Sequence, residues 1–172
     1  MEQLKQTASE RSYLVQEMEN EAQAQRIGDF FLSPHSFDDQ RYTPGEQEMF
    51  RNRPRQSLHQ GGDRFWFVEN ERGEVIGACN IKENEHRTGG YMWDFIAVHR
   101  QYRNLGIARR LYDTMIAFVR SRGGRYILTY TCDLPEYAPI QRMFEGRGFT
   151  LVGTCPDYYY DGEAMLLYNK KL

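Results

Sequence analysis

The sequence predicts a single domain of mixed α/β class, and three observations carry that expectation. Residues 64–68 and 74–81 are β-rich runs separated by Asn70-Glu71-Arg72-Gly73, the pattern of an antiparallel hairpin with a late glycine in its loop. Apolar side chains at Ile107, Leu111, Tyr112, Met115, Phe118 and Val119 form a helical stripe flanked on both sides by strand-like runs. The 172 residues suffice for one well-buried core, with no internal repeat or low-complexity linker to divide residues 1–172.

Residues 1–60 read as a mainly helical N-terminal part. Leu14, Val15, Met18, Ala22, Ile27, Phe30 and Phe31 can share a helical face, although residues 13–16 also suit a short first strand. Thr43-Pro44-Gly45-Glu46 has the form of a capping box with proline at the first helical position, so a helix is expected from Pro44 to Asn52, ended near Pro54. Beyond the 64–81 hairpin, His86 to Gly90 makes a turn and residues 91–98 a third strand. Its alternation puts Phe95 and Ala97 on one face and Asp94, Ile96 and Val98 on the other. The following helix ends at Arg122-Gly123-Gly124, and residues 125–132 return as a strand parallel to 91–98. A helix over 137–147 is stopped by Gly148. Residues 149–152 and 164–168 then form a last antiparallel pair around an aromatic loop, 156–162.

Charge and composition exclude several functions. A net charge of −2 with no basic stripe argues against a nucleic-acid partner, and no window is apolar enough to span a membrane. The N-terminal residues lack the apolar core of a secretory leader. Three cysteines, Cys79, Cys132 and Cys155, have no metal-type spacing and read as free thiols of a reducing compartment, hence a cytoplasmic protein without a bound metal.

The chemistry concentrates where the 91–98 strand runs through a basic turn into a helix. The first N–H groups of a helix lack intrahelical partners and sit at the positive end of its dipole, so this is a natural anion site, and Gly106 lets a phosphate approach the backbone. The chain holds no G-x-x-x-x-G-K-[ST], and no G-x-G-x-x-G follows a strand. What stands there is Arg103-x-x-Gly106-x-Ala108. It resembles the [QR]-x-x-G-x-[GA] acetyl-CoA motif of the GCN5-related N-acetyltransferases, the GNAT family. The preceding Asp94 to Val98 strand, the segment from Thr131 through Ile140 to Gly148-Phe149, and Pro156-Asp157-Tyr158-Tyr159 with Gly162-Glu163 extend the resemblance over residues 64–172, the acetyl-CoA-binding core.

The resemblance implies a largely antiparallel twisted sheet of about six to seven strands flanked by helices, with a parallel pair splayed at the cofactor site. It implies acetyl-CoA as acyl donor, with Arg103, Asn104, Leu105, Gly106, Ile107, Ala108 and Arg109 around its pyrophosphate and the backbone of Ile96, Ala97 and Val98 along its pantetheine arm. The acceptor would be a primary amine, preferably of a small molecule, attacking directly in a ternary complex. A protein or peptide amine, or a non-catalytic acyl-CoA-binding or sensing role, are the alternatives. Asp94 is the candidate general base. The family's usual tyrosine, five positions before the final phenylalanine, is Phe144 here, which packs on the cofactor arm or in the core. The acid for the departing thiolate is therefore left among Tyr137, Tyr130 and Tyr158, with Tyr137 the named candidate. Edge strands of this family commonly give homodimers.

Overall fold

The computed structural model describes residues 13–39 and 41–172; residues 1–12, read above for a leader, and residue 40 lie outside that description. Strand β1 (Val15–Glu17) leads into α1 (Glu21–Phe31), whose N-terminus is closed by a reciprocal Asn20–Gln23 capping box and whose Ala24, Ile27, Phe30 and Phe31 turn inward. Helix α2 (Pro44–Gln60) starts at the expected Thr43–Glu46 box. Then come β2 (Asp63–Glu69), β3 (Val75–Glu83), β4 (Gly90–Trp93), β5 (Ile96–Val98), α3 (Ile107–Ser121), β6 (Tyr126–Cys132), α4 (Ala138–Gly146), β7 (Thr150–Tyr160) and β8 (Glu163–Lys171). These form one open, mostly antiparallel sheet in the order β1-β2-β3-β4-β6-β8-β7, with β5 paired to β3 and β4–β6 the one parallel pair among the described strands.

Helices cover both faces. On one, α3 and α4 bury Leu111, Met115 and Phe144 against Trp93, Ile127 and Tyr168. On the other, α1 and α2 bury Phe31 and Phe50 against Phe65, Phe67 and Phe95. Helix α3 stops where Gly123 adopts φ +70°; a Cβ on the next residue, Gly124, would stand 2.2 Å from Val119 Cγ1.

Three expectations change. Helix α2 runs through the buried Pro54 to Gln60 instead of ending there. The proline ring removes the N–H that would have bonded the Phe50 carbonyl, and that carbonyl lies against Gly28, where a Cβ would stand 3.0 Å away. Packing of α1 on α2 thus outweighs the local cost of the proline. The aromatic loop at 156–162 is mostly strand: β7 continues to Tyr160, and only Asp161 and Gly162 turn before the Tyr160–Glu163 pair. The 91–98 strand is two strands, and only Gly90–Trp93 runs parallel to β6.

Candidate active site

The site begins where that strand breaks. Trp93 opposite Thr129 is the last parallel pair; beyond it β5 turns to β3 while β6 continues alone on that side, and a gap opens between them. Side chains satisfy the broken ladder. Thr129 Oγ1 donates to the Trp93 carbonyl at 2.9 Å, Asn80 Oδ1 accepts from Phe95 N–H at 2.8 Å, and Trp93 Nε1 donates to the Phe95 carbonyl at 3.2 Å. Two residues, Asp94 and Phe95, consequently face α2 in succession, as in a β-bulge. Asp94 therefore does not share a face with Ile96 and Val98, as alternation alone suggested.

Strand β5 offers its edge to the gap. The Phe95 carbonyl accepts from the Asn80 N–H and the His99 N–H donates to the Ile76 carbonyl, both on β3, so alternation turns the N–H and C=O groups of Ile96 and Val98 away from β3, towards β6. Ala97 is the exception among the three expected residues: its backbone is taken up by β3 and its side chain is buried with α1 and α2.

The turn expected to bind an anion lies one turn further on. A 3₁₀ turn, Arg100–Tyr102, is followed by Asn104 at φ +64° and Gly106 at φ +79°, which aim the backbone into the start of α3. Among the described residues, no side chain caps that helix, and no atom lies within 4 Å of where a Cβ on Gly106 would be. A diphosphate fits such a cradle: free N–H groups at residues 107–109, dipole polarity and open space coincide. Leu105 is exposed at the rim, Ile107 and Ala108 anchor the turn to the core, and Arg109 projects outward beside Asp113 at 3.6 Å.

Two expected cofactor residues are placed differently. Arg103 is turned from the cradle: Nε donates to the Val98 carbonyl at 3.2 Å, Nη2 to the Ser36 carbonyl at 3.0 Å, and Nη1 pairs with Asp38 Oδ1 at 2.7 Å. Phe144, 3% exposed, closes an aromatic cluster with Trp93, Phe149 and Tyr168 and is core rather than cleft lining.

The loop at residues 33–39 covers the gap from the α1–α2 side. Buried Ser36 ties it to the end of α1 through the Phe31 carbonyl, and Arg100 donates to the Phe37 carbonyl at 2.9 Å. The His35 ring stacks on His99 with centroids 4.6 Å apart. Tyr137, just before α4, donates its hydroxyl to Asp39 Oδ2 at 2.8 Å. Burial and the Asp39 carboxylate both push the Tyr137 phenol upward, so it keeps its proton. Although partial burial opposes the charge on Asp39, the Arg41 N–H and Tyr137 hydroxyl hold its carboxyl below the ordinary range.

Asp94 is not a lone carboxylate. Oδ2 accepts from Arg53 Nη2 at 2.5 Å and Oδ1 from the Tyr130 hydroxyl at 3.3 Å, while Arg53 Nε bonds Asp63 Oδ2 at 2.7 Å. Asn80 Nδ2 donates to Asp63 at 3.1 Å. The guanidinium also lies over the Phe95 ring, 5.1 Å from its centroid. Burial opposes the charge on Arg53, but the two carboxylates outweigh it and raise its pKa; burial likewise raises that of Asp63, against the pull of Arg53. Sequence reasoning missed Arg53, Asp63 and Asn80. Their one local signal is a polar residue on each of three elements whose other inward positions are apolar. Among the described residues, no group of three or more His, Cys, Asp or Glu side chains could hold a metal ion.

Comparisons with known proteins follow the same lines. Residues 24–149 match the model of the acetyltransferase (GNAT) family. The N-alpha-acetyltransferase daf-31 of Caenorhabditis elegans is 29% identical over 102 residues, 57% of this chain; the match spans about half of that relative, 55% of its length. A structure described as a GNAT-family acetyltransferase from Desulfovibrio desulfuricans superposes with a TM-score of 0.79 at 22% identity, covering 92% of this chain and 98% of that one. An aminoglycoside 6'-N-acetyltransferase complexed with coenzyme A superposes with a TM-score of 0.70 at 16% identity, over 92% and 96% of the two chains. At those identities the two structures speak for the fold alone.

Proposed function

Because the chain belongs to the acetyltransferase (GNAT) family, we propose that it transfers the acetyl group of acetyl-CoA to a primary amine of a small, cationic molecule. The observation that carries this reading is the N-terminus of α3 behind Gly106, uncapped among the described residues, which leads directly to the edge of β5 that faces the gap. The N–H groups of residues 107–109 hold the pyrophosphate, and the Ile96 and Val98 backbone pairs with the amides of the pantetheine arm. That arm carries the thioester into the gap, where a β5 N–H polarises its carbonyl. Acetyl-CoA enters from the α3 side, so the acceptor approaches from the α1–α2 side, past Asp39, Tyr137, Tyr130 and Tyr159.

The amine must lose a proton before it attacks, since an alkylammonium has no lone pair. Asp94 is the carboxylate at the apex of the gap and serves as base. Attack forms the N–C bond, the C–S bond breaks, and the thiolate leaves. Tyr137 is committed to Asp39, which favours departure of the thiolate without a dedicated tyrosine acid. The 33–39 loop and Tyr137 narrow the acceptor entrance, and Asp39 and Glu46 lie on that side. Both features favour a small cation over a polypeptide. A protein N-terminus is the second reading, favoured by the N-alpha-acetyltransferase relative.

The experiment is thiol release from acetyl-CoA against polyamines, aminoglycosides, amino acids and N-terminal peptides. Turnover with small amines and none with peptides is expected. Peptide turnover alone would move the reading to protein acetylation. Acetyl-CoA binding with no turnover would leave a binding module.

A further inference from the structure

We propose that the Tyr130 hydroxyl is the group that meets the acceptor amine and relays its proton to Asp94, and that Arg53 and Asp63 position this pair. The inference rests on the acetyltransferase reading and names residues for its proton step.

Asp94 and Tyr130 are the first residues past the last parallel pair, Trp93 and Thr129, so their side chains meet where the sheet opens. Asp94 cannot readily reach an amine itself. Its side chain is 7% exposed, and Oδ2 is occupied by Arg53. Tyr130 bridges that distance: it gives its hydroxyl proton to Asp94 Oδ1 at 3.3 Å, leaving the oxygen lone pairs free to accept from an ammonium N–H. Burial and the neighbouring carboxylate keep Tyr130 protonated, which is the state a relay requires.

Arg53 and Asp63 bear on the same step through charge. One guanidinium stands between two carboxylates whose side chains are each 7% exposed. The cluster thus carries one negative charge more than it can neutralise internally. Asp63 holds Arg53 Nε and Arg53 Nη2 holds Asp94 Oδ2, which leaves Asp94 Oδ1 to the Tyr130 hydroxyl. The charged and titratable groups facing Asp94 are Arg53 from α2, Asp63 from β2 and Tyr130 from β6; Tyr159 from β7 lies near Tyr130.

The step balances as follows. The ammonium gives one proton to Tyr130 Oη as the phenolic proton passes to Asp94, leaving a neutral amine and a protonated carboxyl. The amine nitrogen bonds to the thioester carbon, the C–S bond breaks, and the thiolate takes the second nitrogen proton. Asp94 then returns its proton to solvent.

The test uses the whole chain, acetyl-CoA and the best amine from the thiol-release screen. Tyr130→Phe removes one oxygen and is expected to lower kcat tenfold or more, leaving Tm and the dissociation constant of acetyl-CoA nearly unchanged. Arg53→Met leaves two carboxylates facing each other, so the acid limb of the kcat/KM profile should move to higher pH, and Arg53→Lys should move it back. Turnover by Tyr130→Phe within twofold of the unaltered chain, with the same pH profile, overturns the proposal. Should Arg53→Met fail to fold, Tyr130→Phe decides alone. An unaltered chain that acetylates no amine would overturn the acetyltransferase reading itself, and the relay with it.

Discussion

Asp38 and Asp39 are neighbours in the chain but are bonded to opposite sides of the cleft. Asp38 pairs with Arg103 on the cofactor turn at 2.7 Å, and Asp39 accepts from Tyr137 beyond β6 at 2.8 Å. The loop that bears them therefore spans the opening between β5 and β6. Arg103, whose position in the motif suggests a phosphate ligand, ties the cofactor turn to the acceptor side.

This arrangement predicts which constant each variant moves. Asp38→Ala and Tyr137→Phe should each raise the acceptor KM about threefold or more, with acetyl-CoA affinity within about twofold, in steady-state kinetics and calorimetry. The Asp38 carboxylate is largely exposed, so its pair contributes at most about 1 kcal/mol, and Tm should hardly move.

Gly106 should be sensitive in binding rather than folding. Its φ of +79° costs a residue with a Cβ about 1–2 kcal/mol, and no neighbour collides with the added atom. The new side chain would stand in the diphosphate cradle. Gly106→Val should weaken acetyl-CoA binding tenfold or more by calorimetry, with a fall in Tm of only a few degrees.

Phe144 should behave as a core residue. Truncation to alanine opens a cavity among Trp93, Phe149 and Tyr168 and should cost about 3–5 kcal/mol in urea unfolding. Phe144→Tyr places a hydroxyl in the same cluster and should lose about 1–2 kcal/mol without raising turnover. A gain in kcat from that variant would show that the position still reaches the thiolate.

The stacked His35–His99 pair predicts a pH dependence. Partial burial, then the His35 ring and Arg103, push His99 below its ordinary 6.5, and its Nδ1 accepts from the Gln101 N–H. A histidine with a depressed folded pKa contributes stability above 6.5 that is lost as pH falls through the folded value. Tm measured from pH 8 to pH 5 should fall more steeply in the unaltered chain than in His99→Asn.

Strand β7 is the outer edge of the sheet, and Leu151, Val152, Tyr158 and Tyr160 are each more than half exposed on it. A homodimer would pair through this edge. Leu151→Lys with Val152→Lys should shift sedimentation towards the monomer, and a sedimentation coefficient unchanged by the pair would place any interface elsewhere.

Much of this was legible in order along the chain. The Thr43 capping box, the 64–81 hairpin, the α3 stripe and the Gly106 turn are local features, written in residues three or four apart, and each stands where the sequence puts it. The open start of α3 behind Gly106 is equally local, because helix polarity and glycine freedom need only a few consecutive residues. The Asp94 end of the gap is different. Whether Pro54 ends a helix depends on how α1 packs against α2. Whether Asp94 follows the alternation of its strand depends on Asn80 and Thr129, far from it in sequence, satisfying the broken ladder. Arg103 and Phe144 likewise take their roles from partners on other elements. The sequence by itself determined the strand-turn-helix that can hold a diphosphate; only the tertiary structure decided that Asp94 belongs to Arg53, Asp63 and Tyr130, because hydrogen bonds and charge compensation among four separate elements have no local signature.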